Sequence, residues 1–288
     1  MKREFEFLID DKFDGKDIKF VLENELKCSS NIITRLKKGK YILLNGKRET
    51  VIKKLAYGDR LKIIIPEESP KELIKNPQIT FDVIFEDEDI LVVNKPAKIP
   101  THPSQNHYTD TLANGIAAYI DSGEFVFRAV NRLDRETSGI VLIAKNMLAA
   151  HLLSAEAAAR KIKKVYYAIC ENEVNPPSGL IDAPIAREKE SIIKRCVRSD
   201  GRAALTKYET VKVICGKSLV KVNPLTGRTH QIRVHFAYIG SPLLGDALYG
   251  HDIGERTRLH CKEMSFTHPI LKKHMTVECP LPPDFSLS

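Results

Sequence analysis

The continuous apolar run Gly139–Ala144 constrains the fold of this chain more than any other segment. Its sequence, GIVLIA, is far shorter than the roughly 20 apolar residues that a membrane-spanning helix needs. An uninterrupted apolar run of this length is typical of a strand that is buried on both faces of a sheet. Asn146 follows and can cap a helix rich in alanine and leucine that extends to about Arg160. We therefore predict a sheet with a buried central strand and a helix directly after it.

Length and composition predict two parts of unequal size. A chain of 288 residues is long for one small domain, and a hydrophobic content of 43% is enough for a sizeable core. Pro66, Pro70 and Pro77 are typical of a linker between the two parts. The predicted division is residues 1–68, a linker at residues 69–80, and residues 81–288. Because the sequence shows no apolar signal segment, we expect a cytoplasmic protein that does not bind a membrane.

Positive charge is concentrated in the first part. Between Lys27 and Lys62 the sequence has eleven lysine and arginine residues but only two acidic residues, Glu49 and Asp59. This local excess of nine positive charges is larger than the net charge of +8 of the whole chain. Such a patch attracts phosphates and releases counterions when it binds them, so we favour an RNA-binding surface over a merely solvated one. The candidate RNA contacts here are Arg35, Lys37 and Lys38.

The order of elements in the first part supports this interpretation. Apolar residues at helical spacing within Ile18–Leu26 predict one helix, and Ser29-Ser30 can begin a second. Tyr41–Leu44 and Leu61–Ile65 are predicted strands, and Asn45-Gly46 is typical of a hairpin turn. Two helices followed by short strands, with the sequences TRLKKGKYILLNG and YGDRLKI, resemble the S4-like RNA-binding domain.

The most informative segment lies just before the apolar run. Asp134 stands between Arg132 and Arg135 on a predicted loop, an arrangement that holds a carboxylate ionised and in position. In an isolated R-L-D tripeptide a local salt bridge would be a sufficient explanation. The complete run RLDRETSGIVLIAKN, however, resembles the nucleophile motif of the RluA-type pseudouridine synthases. That family usually has histidine where this chain has Asn131, a difference that we expect to affect loop hydrogen bonding rather than the chemistry.

Three further blocks occur in the order that is typical of the same family. They are KVYYA at residues 164–168, GRAALT at residues 201–206 and LTGRTHQIRVH at residues 225–235. Apolar residues recur at helical spacing after the last block begins, so it should open a helix that ends at Gly240. Arg233, one turn beyond Thr229, would project from that helix toward the active site. The resemblance extends from about Phe81 to Cys279.

The resemblance implies an α+β fold, with a catalytic domain built on a mixed, mainly antiparallel sheet flanked by helices and with a small α+β S4-like domain. It also implies an enzyme, acting as a monomer, that isomerises uridine to pseudouridine in structured ribosomal or transfer RNA. Asp134 would be the catalytic carboxylate, paired with Arg233. Tyr166 would pack against the target base and is the candidate general base. Arg132 would fill the gap left by the flipped uridine, and Arg228 would help to bind the RNA.

No cofactor is expected, because this isomerisation preserves the base and oxidises nothing. Histidine and cysteine residues do crowd the C-terminal region, but they lack the spacing of zinc ligands, so we expect no metal. They are His260, Cys261, His268, His274 and Cys279. The six cysteines of the chain form no C-x-x-C pair and are expected to be reduced thiols.

Two alternatives belong to other functional classes. The chain could be a non-catalytic RNA-binding or ribosome-assembly factor, although intact Asp134, Tyr166 and Arg233 argue against this. It could also be a glycoside hydrolase that uses Asp134 with Glu136 as paired carboxylates. The chain has no tryptophan and no evident aromatic platform for a sugar, which disfavours the hydrolase.

Overall fold

The structure is a computed structural model that describes residues 1–67, 73–121, 125–251 and 254–286. The predicted linker at residues 69–80 therefore lies partly outside the described residues. Two large hydrophobic clusters organise the described chain. One is built almost entirely from the N-terminal part, and the other is built from the residues after the linker. None of the helices described is both long enough and apolar enough to cross a membrane.

The N-terminal part is a small α+β unit. In chain order its elements are β1 (Arg3–Leu8), α1 (Ile18–Asn24), α2 (Ser30–Gly39), β2 (Ile42–Leu44), β3 (Lys47–Arg48) and β4 (Arg60–Ile65). The four strands form an antiparallel sheet in the order β1-β4-β2-β3. The predicted start of α2 is confirmed, because Ser29 caps it by accepting the N–H of Ile32. The predicted hairpin turn is also confirmed, since Asn45 and Gly46 both have positive φ, at 51° and 77°.

Two details of this part were not predicted. The helix α2 ends at Gly39, and Lys40 follows it in the left-handed conformation, with φ of 55°. The strand β1 was not predicted, although its apolar and acidic residues alternate. In β1 the side chains of Phe5 and Phe7 are partly buried and pack against the N-terminal cluster, whereas Glu4 and Glu6 are exposed.

The second part contains the larger sheet. Its elements are β5 (Asp82–Glu86), β6 (Ile90–Lys95), α3 (Leu112–Ile120), β7 (Ser138–Ala144), α4 (Met147–Ala158), β8 (Lys163–Cys170), β9 (Ser178–Asp182), β10 (Ile185–Arg187), β11 (Arg195–Val197), β12 (Leu205–Ile214), β13 (Lys217–Pro224), α5 (Gln231–Tyr238), β14 (Leu259–Thr267) and β15 (His274–Glu278). In the described chain, nine strands form one sheet in the order β5-β6-β7-β14-β8-β13-β12-β9, with β15 paired to β14. Its neighbouring strands are antiparallel except for β7 and β14. The predicted α+β fold with a mixed, mainly antiparallel sheet is therefore confirmed.

The strand β7 is the buried central strand that the apolar run predicted. All seven of its residues are buried. Gly139 adopts φ of 113°, and a Cβ there would lie 2.3 Å from the carbonyl oxygen of Cys261, so this position requires glycine. After the strand, the side chain of Asn146 accepts the N–H of Ala149 at 2.9 Å and caps α4, as predicted.

The N-terminal part packs directly against α4. Leu148 on this helix is fully buried within the N-terminal hydrophobic cluster. The amino group of Met1 donates to the carbonyl of Lys145 at 2.7 Å. The guanidinium of Arg3 forms an ion pair with the buried carboxylate of Asp89, with Nε 3.0 Å from Oδ1. Apolar packing and ion pairs thus hold the two parts together at the end of β7.

We predict that Leu148→Ala weakens this packing and destabilises the protein by about 2–5 kcal/mol, because it leaves a cavity between α4 and the N-terminal cluster. Urea unfolding followed by circular dichroism measures the change. Leu271→Ala is the matched control, since Leu271 is 58% exposed and its truncation should leave stability nearly unchanged. Equal stability of the two variants would mean that the N-terminal part does not dock on α4.

Candidate active site

The loop that carries Asp134 is fixed to its surroundings on both sides. The side-chain amide of Asn131 forms hydrogen bonds at 3.0 and 2.9 Å with two backbone groups of β7. The expected role of Asn131 in loop hydrogen bonding is therefore confirmed. On the other side, the hydroxyl of Thr101 donates to the carbonyl of Leu133 at 2.9 Å and accepts its N–H at 3.2 Å. Thr101 thus fixes both backbone polar groups of Leu133, the residue that precedes Asp134.

A buried lysine, Lys95, forms a hydrogen bond with the backbone of the same loop. Lys95, at the end of β6, is fully buried, and its ammonium donates to three backbone carbonyls. Two of these bonds are 2.8 Å long, and the third, 3.4 Å long, reaches Arg135 in the loop that carries Asp134. Burial lowers the pKa of Lys95 to about 7, although the charge of Asp134 opposes the shift. No motif in the sequence had indicated a role for Lys95 in this site.

The buried guanidinium of Arg233 joins two carboxylates. Its Nε and Nη2 donate to the two oxygens of Asp246 at 2.7 and 2.6 Å, and its Nη1 lies 3.5 Å from Oδ2 of Asp134. Burial disfavours the charge on Arg233, but the hydrogen bonds and charge of Asp246, together with Asp134, outweigh burial and raise the pKa of the guanidinium. The expected contact between Arg233 and Asp134 is present. The helix α5 begins at Gln231, however, so Thr229 precedes the helix instead of lying on it.

A cavity of about 290 Å³ opens beside Asp134. Tyr166 lines its wall, together with Arg132 from the loop that carries Asp134 and Arg228 from the segment before α5. Arg132 is exposed, whereas Arg228 is partly buried and donates from Nε to the carbonyl of Ala203 at 3.0 Å. The structure thus brings five of the eight predicted site residues to one cavity: Arg132, Asp134, Tyr166, Arg228 and Arg233.

Tyr166 reaches the cavity from the middle of the sheet. It lies on β8, where it pairs with Cys261 of β14 and Val222 of β13, and its side chain is buried. Burial, reinforced by Cys261 and the charge of Asp134, raises the pKa of its phenol well above the ordinary value of 10.0. The phenol is therefore protonated at neutral pH.

A second cavity of about 690 Å³ lies on the other side of Asp134. The two cavities share a wall, which consists of Arg132, Leu133, Asp134, His230 and Arg233. The carboxylate of Asp134 is only partly exposed, at 22% of its side chain. It therefore stands where the two cavities meet.

The other three predicted contacts lie elsewhere. Arg35, Lys37 and Lys38 are exposed on α2 and line neither of these cavities. Sequence analysis also missed Asp246, the main partner of Arg233. Asp246 is separated from Arg233 by a helix end and a loop, and no spacing rule relates the two positions.

The histidines near the C-terminus have other hydrogen-bond partners. His260 bonds through Nδ1 to the hydroxyl of Ser138 at 2.9 Å and through Nε2 to Sγ of Cys279 at 3.1 Å. Burial lowers the pKa of His260 to about 4, and the charge of Arg256 adds to this effect. Within the described ranges, one group of three possible metal ligands lies within 4.8 Å. It consists of Asp87, Asp89 and His268, and ion pairs already engage its members: His268 with Asp87, and Arg3 with Asp89.

Comparisons with known proteins identify the family of this chain. The family described as RNA pseudouridylate synthase matches residues 89–238, a range that includes Asp134, Tyr166 and Arg233. A Bacillus subtilis protein named uncharacterized RNA pseudouridine synthase YjbO is 38% identical over 268 residues, which cover 91% of this chain and 94% of that protein. The ribosomal large subunit pseudouridine synthase D of Neisseria meningitidis serogroup A is 32% identical, with 84% of this chain and 69% of that protein covered.

A solved structure supports the same assignment. The human RNA pseudouridylate synthase domain containing 1 superposes with a TM-score of 0.60 at 26% identity, and the match covers 74% of this chain and 86% of that one. The chain therefore belongs to the RNA pseudouridylate synthase family, and to its RluA-type branch. It is an enzyme that isomerises uridine to pseudouridine in RNA. The family assignment favours this activity over both alternatives from the sequence.

We predict that Asp246→Asn destabilises the protein by roughly 3 kcal/mol, because it leaves the buried guanidinium of Arg233 with one carboxylate instead of two. Turnover should fall as well, since the guanidinium of Arg233 loses the carboxylate that orients it toward Asp134. Denaturant unfolding and release of tritium from C5 of labelled uridine measure the two effects. Asp200→Asn, which removes an exposed partner of Arg198, should leave both nearly unchanged. Parental stability of Asp246→Asn would contradict the assigned role of Asp246.

Proposed function

We propose that this enzyme uses Asp134 as its catalytic carboxylate and binds the target uridine in the cavity of about 290 Å³ beside it. One observation carries the proposal: Asp134 lies 3.5 Å from the buried Arg233, and Tyr166 lines the same cavity. A carboxylate held by a buried cation is well suited to attack an anomeric carbon or to stabilise positive charge there.

The isomerisation gives the carboxylate a defined task. The bond between the anomeric carbon and N1 of uracil breaks, the base rotates, and a bond forms between the anomeric carbon and C5. C5 loses its proton to a base or to solvent, and N1 gains a proton. A carboxylate near the anomeric carbon serves either a covalent sugar intermediate or a glycal route. Neither route oxidises anything, so the proposal includes no cofactor and no metal.

Tyr166 is proposed to pack its ring against the uracil. Its position on the wall that Asp134 also lines supports this role. The raised pKa of its phenol keeps Tyr166 protonated when the reaction begins. A protonated phenol is a hydrogen-bond donor and is poorly suited to accept a proton as a general base. Packing is therefore the role that we favour over general-base catalysis.

Arginine side chains at the mouth of the cavity are proposed to hold the RNA. Arg132 is exposed and borders both cavities, so it can occupy the space that a flipped uridine leaves in the RNA. Arg228 is tied to the carbonyl of Ala203 and lines the same cavity as Tyr166, which suits a contact with the RNA backbone.

We also propose a division of the chain into an S4-like RNA-binding domain at residues 1–68, a linker at 69–80 and a catalytic domain at 81–288. The separate hydrophobic cluster of the N-terminal part and the exposed cations on α2 support the division. Large-subunit ribosomal RNA is the proposed substrate, because a relative that covers most of this chain is named for it. One chain supplies every residue in the proposal, and we propose that it acts as a monomer.

The central prediction of this proposal is that Asp134→Asn abolishes turnover, with a loss of roughly a thousandfold or more in the single-turnover rate. The substitution keeps the shape of the side chain but removes its charge and its nucleophilic oxygen. RNA affinity and folding should persist, because exposed cations bind the backbone and the loop keeps its anchors at Asn131 and Thr101. Tritium release from C5 and filter binding measure the two properties separately.

Glu136→Gln is the matched control for this substitution. It neutralises a carboxylate two residues away in the same loop, and it should leave substantial activity. Assaying the same reactions for free uracil would detect a hydrolase, which releases the base instead of rejoining it. A folded Asp134→Asn protein that converts uridine at the parental rate would contradict the proposal, and a parallel loss of binding would indicate a structural role.

A further prediction concerns the basic surface of α2. Replacing Arg35, Lys37 and Lys38 together by glutamine should weaken RNA binding and reduce the slope of log affinity against log salt by about 2–3, because fewer counterions are released. The control replaces Lys2, Lys12 and Lys19, three exposed lysines that already pair with glutamates. It removes the same charge but should change the slope much less. Equal slopes for both triple variants would refute an RNA-binding role for α2.

A further inference from the structure

His230 lines both cavities beside Asp134, although the sequence motif that contains it indicated no role for it. It precedes α5 with a left-handed backbone, at φ of 56° and ψ of 19°. This conformation is uncommon outside glycine and turns the ring away from the path of the helix. The side chain is only 12% exposed and lies on the wall that the two cavities share.

A chain of hydrogen bonds connects the ring of His230 to the backbone of β11. The backbone N–H of Arg195 in β11 donates to the hydroxyl of Tyr249 at 2.9 Å. The same hydroxyl lies 2.8 Å from Nδ1 of His230. The hydroxyl oxygen of Tyr249 accepts the N–H of Arg195, and its own proton can be donated to Nδ1. In that arrangement Nδ1 is the acceptor, and the ring proton resides on Nε2.

The other ring nitrogen, Nε2, faces the proposed catalytic carboxylate. Nε2 of His230 lies 3.9 Å from Oδ2 of Asp134, the oxygen to which Nη1 of Arg233 also makes its closest approach, at 3.5 Å. A separation of 3.9 Å is longer than a hydrogen bond, so direct contact requires the two groups to approach by about 1 Å. His230 and Arg233 therefore flank Oδ2 with one neutral donor and one cation.

We propose that His230 is a positioning residue for Asp134, to which it presents the Nε2–H of a neutral ring, and that the hydroxyl of Tyr249 selects this tautomer. The proposal rests on the proposed role of Asp134 as the catalytic carboxylate. Tyr249 is itself fixed by the backbone of β11 and by the guanidinium of Arg233, which lies 5.1 Å from the centre of its ring. The hairpin of β10 and β11 is thereby linked to the catalytic loop.

Burial is the main reason why the ring of His230 favours its neutral form at pH 7. Burial lowers its pKa, and the nearby cations Arg233 and Arg195 act in the same direction. The carboxylates of Asp134 and Asp246 oppose this effect without reversing it. Tyr249 adds a donor to Nδ1, which stabilises the neutral form further. A neutral ring orients Oδ2 through a hydrogen bond without adding a second full positive charge beside it.

Nitrogen NMR tests the tautomer directly. In protein labelled with ¹⁵N-histidine, the signals of His230 are assigned by their loss in His230→Gln. At pH 7 we expect a protonated Nε2 and an unprotonated Nδ1, and Tyr249→Phe should weaken this preference while it keeps the aromatic ring. An Nδ1–H tautomer, or a doubly protonated ring at pH 7, would overturn the proposal.

Kinetics test the positioning role. Unmodified transcripts of large-subunit ribosomal RNA and of transfer RNA, tritiated at C5 of uridine, serve as probes in single-turnover reactions. His230→Ala should lower the rate by roughly 10- to 100-fold at unchanged RNA affinity, the usual effect of losing a hydrogen bond to a charged group. His230→Gln, whose amide N–H can replace Nε2–H, should recover most of the rate. His251→Gln is the control, because the ring of His251 is 86% exposed.

The pH profile separates a positioning role from a structural one. Tyr249→Phe removes the donor to Nδ1, so the pKa of His230 should rise and the acid limb of the rate profile should move to higher pH. An unchanged acid limb, or a His230→Ala protein with the parental rate, would refute the proposal. The Asp134→Asn variant separates a failure of the proposal for His230 from a failure of the proposed catalytic role of Asp134. It should lower the pKa of His230 in the NMR titration, whether or not Asp134 proves to be the catalytic carboxylate.

Discussion

The buried guanidinium of Arg233 connects parts of the active site that are distant in the sequence. A buried cation is costly unless carboxylates and hydrogen bonds compensate it, and Asp246 supplies both through two short bonds. These bonds fix the plane of the guanidinium, so its remaining amino group points at Asp134. The geometry of the proposed catalytic carboxylate thus depends on an aspartate that comes from the loop after α5.

The strand β7 relates this site to the N-terminal part. Its first residue follows the loop of Asp134, and its last residue leads into Lys145, whose carbonyl accepts the amino group of Met1. Leu148, one turn further, is buried in the N-terminal cluster. One fully buried strand therefore connects the loop of the proposed catalytic carboxylate to the helix on which the N-terminal part packs.

Local signals in the sequence predicted much of the structure because the responsible interactions are local. The apolar run of β7, the cap at Asn146 and the turn at Asn45-Gly46 each depend on residues within a few positions of one another. The alternation of phenylalanine and glutamate in β1 is also a local signal, and it indicates a strand with one face toward the core. Asp246 could not be predicted, because only the folding of the chain brings it to Arg233. The same holds for the contact of Tyr249 with His230, which also requires β11 to lie beside α5.

A crystal structure of the Asp134→Asn protein bound to an RNA that the parent enzyme converts would test the central claim most directly. The account predicts that the target uridine is flipped out of the RNA, with its uracil against the ring of Tyr166. Its anomeric carbon should lie within about 3.5 Å of the side chain at position 134, the separation of a near-attack geometry. A target uridine that occupied the second cavity, or that lay with its anomeric carbon beyond reach of position 134, would contradict the account.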